Sequence, residues 1–131
     1  MPETDSIRAD EAIKLDEAEI LARLDGDCQL LADLCDLSLA ELPRLIQSLA
    51  VEVKAGDANA MHRAAHRLKG SLSIFGAGPH IEDCIAMEEL ALKSDLSQTP
   101  GAMSRLERHL EAFSAAVAAL GKESHARTDC G

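Results

Sequence analysis

The chain has 131 residues and a formal net charge of −10. That length suits one domain with a real core and is too short for two ordinary ones. The acidic balance argues against broad nucleic-acid binding and against an anionic membrane surface, both of which need basic surface.

Trp and Tyr are absent and only two Phe are present, while Ala and Leu are abundant. Scarce aromatic and β-branched residues favour helices over sheets. No apolar run approaches a bilayer span. Residues Met1 to Glu11 are polar and acidic, which does not fit a secretory signal. Cys28, Cys35, Cys84 and Cys130 form no CxxC pair, so reduced thiols in a cytoplasmic protein are expected.

Residues 1–15 read as a flexible lead-in. Asp16 can cap a short helix to about Leu24, with Glu19 as its capping-box partner. Asp25-Gly26-Asp27 breaks the chain, and Asp27 can cap the next helix. That helix runs from about Cys28 to Ala55. Leu31, Cys35, Leu42, Leu45, Leu49 and Val53 recur at helical spacing. Pro43 should kink it or divide it in two. Gly56 is placed as its stop, and Asp57 as the following cap.

The third helix is expected from Ala58 to about Phe75. Met61, Ala65, Leu68, Leu72 and Phe75 form one buried stripe. Gly76-Ala77-Gly78 is a turn, and Pro79 suits a first helical position. A fourth helix runs from there to about Lys93, with Ile81, Cys84, Met87 and Ala91 on its apolar face. Glu82 and Asp83 suit the positive end of its dipole. Ser94 to Gln98 is a loop and Thr99-Pro100 a helix start. Met103, Leu106, Leu110, Phe113, Val117 and Leu120 mark the last helix, which Gly121 should end. Residues 122–131 read as a polar tail. The resulting fold class is all-α: an antiparallel up-down four-helix bundle over residues 16–121 with an additional short N-terminal helix.

The informative stretch is Ala64-Ala65-His66-Arg67-Leu68-Lys69-Gly70-Ser71. At about 100° per residue, His62, His66, Lys69, Gly70 and Ser73 fall on a stripe well off the core direction. His66 is therefore placed at least partly in solvent. A neutral imidazole nitrogen is nucleophilic near neutral pH. Lys69, one turn on, supplies an ammonium that can steady a transferred phosphoryl group. Gly70 costs about 1 kcal/mol in a helix interior relative to Ala. Its missing side chain leaves room for that group and for an incoming partner. Between Asp57 and Glu82 there is no carboxylate, while Arg63, Arg67 and Lys69 lie in that stretch. An acidic chain thus keeps one basic island around His66.

These residues resemble the histidine-containing phosphotransfer (HPt) family, whose pattern is approximately A-H-x-L-K-G-(S/A), followed by a hydrophobic residue and Gly-Ala. Here Ala65-His66-Arg67-Leu68-Lys69-Gly70-Ser71 precedes Phe75-Gly76-Ala77. Leu24-Asp25-Gly26-Asp27, Glu41-Leu42-Pro43 and Ala55-Gly56-Asp57 add to the likeness, which spans Asp16 to Leu120.

The resemblance implies that His66 is phosphorylated through Nε2, that Lys69 steadies the phosphoryl group, and that Gly70 gives access. It implies transfer between a hybrid histidine kinase's receiver domain and the receiver domains of response regulators. The chain would act as a monomeric phosphocarrier without its own ATP site, binding no cofactor, with Mg²⁺ supplied by the receiver. Leu72 and Ile74 depart from the commonest pattern. Leu72 fits the core stripe. Ile74 points toward the Arg63 and Arg67 side. His62, Arg63, Arg67, Ser73 and Ile74 are the expected partner-binding residues.

Two other readings stand beside this one. A helical docking module could sequester a receiver or a kinase without accepting phosphate. His62 and His66 also form an H-x3-H pair, but no third ligand is evident, so no metal site is expected. His80, His109 and His125 carry no supporting motif.

Overall fold

A computed structural model describes residues 13–127. Most of the 1–15 lead-in, the end of the 122–131 tail and Cys130 therefore lie outside the described residues.

Three aspartates start helices in the expected way. Asp16, Asp27 and Asp57 accept hydrogen bonds from the amides of Glu19, Leu30 and Ala60 at 3.1, 2.9 and 3.1 Å. They open α1 (Glu17–Arg23), α2 (Cys28–Ala55) and α3 (Ala58–Leu72). Gly56 ends α2 in the left-handed region at φ +72°, and its amide reaches back to the Glu52 and Val53 carbonyls. α4 (Pro79–Leu92) begins on Pro79, and α5 spans Thr99–Ala126. No strand occurs among the described residues. None of the described helices is long and apolar enough to cross a membrane.

The packing partners are α2 with α3, α3 with α4, α4 with α5, and α5 with α2, which closes a four-helix ring. The short connections make neighbours antiparallel. α1 lies beside α2, buries Ile20, and sends Arg23 Nη1 to the Ile74 carbonyl at 2.6 Å. The interior holds the expected stripes of α2, α3 and α5, with Val53 only half-buried. Both phenylalanines meet there, Phe75 edge-on to Phe113 at 5.6 Å.

Several local expectations are corrected. α2 is not divided at Pro43: it runs on as one helix, with Leu42 and Leu45 on either side buried in the same core. α3 stops at Leu72, and Ser73–Phe75 tighten into a 3-10 turn that still buries Phe75. The expected loop 94–98 contains a 3-10 turn, Leu96–Gln98, and Thr99 lies inside α5 with its hydroxyl on the Leu96 carbonyl at 2.9 Å. Gly121 does not end α5. A Cβ there would lie 2.9 Å from Cys35 Cβ, so its bare backbone lets α5 pack closely on α2 at this point. The helix runs on to Ala126 and buries Ser124.

Cys35 and Cys84 are free, buried thiols; burial, with Asp36 beside one and mainly Asp83 and Glu88 beside the other, pushes them up to about 11 and about 12. Cys28, buried at the head of α2, is disulfide-bonded, against the expectation of reduced thiols throughout.

The inner face of α4 departs most from its expected apolar face. Cys84, Met87 and Ala91 are buried, Ile81 is only half-buried, and His80, Asp83 and Glu88 are buried as well. Asp83 is paired with His109 and lies 3.4 Å from Arg105, both on α5, so it serves an interhelix ion pair rather than the helix dipole. His80 packs against Phe113 with ring centroids 4.7 Å apart and planes tilted by 32°. Neither of its ring nitrogens has a hydrogen-bond partner among the described residues. His125 pairs with Asp36 at 3.0 Å, tying the end of α5 to α2.

Candidate functional site

α3 projects a row of polar side chains away from its buried stripe. His66 stands on this row with its side chain 68% exposed. The helix can hold the imidazole there because Met61, Ala65, Leu68 and Leu72 anchor the opposite face.

The ring is oriented from a neighbouring helix. Glu88, in the middle of α4, places Oε2 2.7 Å from His66 Nδ1 and accepts a hydrogen bond from Lys69 Nζ through Oε1 at 2.8 Å. Burial of Glu88 would raise its carboxyl pKa. The hydrogen bonds from Lys69 and His66, and the charges behind them, outweigh burial and hold it below the ordinary value. The carboxylate is thus ionised and can only accept. A neutral His66 must therefore carry its proton on Nδ1 and present Nε2 with a free lone pair. No described residue hydrogen-bonds Nε2. That nitrogen is free to attack an electrophile approaching from solvent.

Lys69 is less available than its position one turn from His66 implies. Its side chain is 26% exposed and its ammonium is engaged with Glu88. The basic island expected from the absence of carboxylates between Asp57 and Glu82 is therefore partly neutralised by an acid from α4. Glu88 escaped the sequence reading because α4 was judged by its apolar positions. The signal was present in the spacing: Glu88 follows Cys84 by four residues and precedes Ala91 by three, so it shares their buried face.

Gly70 is exposed, and a Cβ added there would meet nothing within 4 Å among the described residues. The space beside His66 is open. A groove of roughly 270 Å³ extends from Gly70 between α2 and α3, lined by residues including Leu34, Leu37, Leu42 and Ile74. Leu37 in this groove is 62% exposed. Ile74 thus faces α2, not the Arg63 and Arg67 side, because the 3-10 turn after Leu72 redirects the chain. Arg63 and Arg67 are exposed and share an open cleft with His62 and His66. Ser73 is exposed, but its hydroxyl donates to the Lys69 carbonyl at 2.7 Å and finishes the helix. Among the described residues no group of three His, Cys, Asp or Glu is arranged to hold a metal ion.

The sequence model of the family described as Hpt domain matches residues 29–116. The matched span runs from the head of α2 into α5 and contains His66, Lys69, Gly70 and Glu88. No curated protein and no solved structure matches the chain.

Proposed function

The chain belongs to the Hpt domain family, whose members carry phosphoryl groups on histidine in two-component signalling, and from that premise we propose that His66 is the phosphoacceptor of a phosphorelay. A phosphorylated receiver-domain aspartate, on a hybrid histidine kinase or another receiver, docks over the exposed ring. His66 Nε2 attacks phosphorus in line. The N–P bond forms as the aspartyl O–P bond breaks, and the electron pair of that bond returns to the aspartate carboxylate. The proton stays on Nδ1. The imidazole ring thereby gains positive charge, and the Glu88 carboxylate is already in place to offset it. The reverse sequence hands the group to a response-regulator aspartate. Mg²⁺ comes with the receiver. The chain contributes the nucleophile, its orientation and a docking surface, and has no ATP site of its own.

Docking uses the surface around Gly70. The apolar groove with Leu37 and Ile74 lies on one side of His66, and Arg63 and Arg67 border the other. Apolar contact supplies affinity while the arginines favour an acidic receiver pocket. The chain acts as a monomer.

One observation carries this reading: an exposed imidazole whose Nδ1 is fixed by Glu88 and whose Nε2 is unengaged. The test is to incubate the protein with a ³²P-labelled receiver. Label should appear on the wild-type chain as an acid-labile, alkali-stable phosphoramidate and be absent from a His66→Gln variant. Full labelling of that variant would overturn the assignment.

A further inference from the structure

His62 lies one turn before His66 on the same face of α3, and both rings border the cleft that Arg63 and Arg67 share. The two imidazoles are almost parallel, with an interplanar angle of 9° and centroids 6.3 Å apart. No hydrogen bond or ion pair engages His62 among the described residues. Its ring nitrogens are therefore available, whereas the nearest ammonium, Lys69, is held by Glu88.

We propose that His62 is a phosphoryl-contacting residue: once His66 Nε2 carries a phosphoryl group, a ring N–H of His62 donates a hydrogen bond to one of its oxygens and prolongs the life of the phosphohistidine. This rests on His66 as the phosphoacceptor.

The geometry favours this contact. A phosphoryl group on Nε2 has its phosphorus near the plane of the His66 ring, but its oxygens splay above and below that plane. With the rings stacked, one of those directions runs toward the face of His62, and a rotation about its χ2 aims a ring N–H at the oxygen. Four residues of helix, about 6 Å of rise, leave room for an oxygen between them. Arg63 and Arg67 can reach the same cleft only on long, exposed side chains that lose more rotamer freedom when ordered. His62 is half-buried, with only two side-chain torsions to fix. Loss of the phosphoryl group passes through a loose transition state in which charge leaves its oxygens. A donor to those oxygens therefore binds the ground state better than the transition state and slows the loss.

The test uses the isolated phosphorylated chain, so partner docking does not enter. The protein is charged from a ³²P-labelled receiver, the receiver is removed, and the label's half-life is followed for wild type, His62→Ala and His62→Gln. His62→Ala should shorten the half-life about three- to fivefold, the range of an exposed charge-assisted contact, with His62→Gln intermediate. The ¹⁵N resonances of the His62 ring should also move when wild type is phosphorylated, showing an engaged N–H. Equal half-lives in the three proteins, or unmoved His62 nitrogens, would overturn the inference while leaving phosphotransfer intact. A wild type that takes up no label would overturn both readings.

Discussion

Glu88 Oε2 lies 2.7 Å from His66 Nδ1, so the orientation of the exposed ring on α3 is set by a buried carboxylate on α4. Removing that acceptor should be felt in both folding and transfer. Glu88→Ala leaves the partly buried Lys69 ammonium without its partner, costing about 1–3 kcal/mol of stability. It also frees the ring to turn and change tautomer. Loss of an orienting bond worth about 1.4 kcal/mol corresponds to roughly tenfold in rate. Glu88→Gln can still accept from Nδ1 and should transfer faster than Glu88→Ala. Single-turnover transfer from a phosphorylated receiver checks the order, and equal rates for the two variants would refute it.

Gly70 offers a separation of stability from function. No described residue lies within 4 Å of the Cβ that alanine would add, so no clash with them offsets the helix-propensity gain. Gly70→Ala should stabilise the domain by up to about 1 kcal/mol. The same methyl group narrows the approach to His66, so transfer should slow even as the melting temperature rises. Thermal melts and transfer kinetics on one preparation decide it; a variant faster than wild type would remove the reason offered for this glycine.

His80 makes the fold acid-sensitive. Burial chiefly, with the nearby His109 charge, lowers it from 6.5 to about 4, against a smaller opposing effect of Asp83. The folded value lies below the unfolded one, so unfolding takes up a proton. The neutral ring's contribution is complete above pH 6.5 and is lost as pH falls from there toward 4. Between pH 7.5 and pH 5 the linkage amounts to about 2 kcal/mol. Glu88 adds to the loss at lower pH, since its folded value is also depressed and its stabilisation disappears as it protonates. His80→Phe should flatten the pH dependence of urea midpoints between pH 7.5 and 5. An unchanged slope would show that another group carries the effect.

Gly121→Ala should destabilise through overpacking. Its Cβ would sit 2.9 Å from Cys35 Cβ, and both belong to helices fixed by the rest of the core. A cost of about 1–3 kcal/mol is expected. Adding Cys35→Ala should not restore stability, because the opposing atom is the Cβ that alanine keeps. Recovery in that double variant would place the conflict at the thiol instead.

The amino-acid sequence by itself determined the helical class, the starts of four helices, the stop at Gly56 and the core stripes of α2, α3 and α5. These depend on local rules, namely capping carboxylates, glycine conformation and a 3.6-residue period, all of which act within one helix. It also placed His66 on the outer face of α3 and left Gly70 beside it. What only the tertiary structure decided is what faces those residues across helices. Glu88 meets His66 and Lys69 from 22 and 19 positions away, and Asp83 meets His109 from 26. Leu37 and Ile74 join one groove because the chain turns after Leu72. Each is a pairing between polar or apolar side chains that share a bundle wall without sharing a sequence neighbourhood. Helix periodicity states which way a side chain points, and only packing states what it meets.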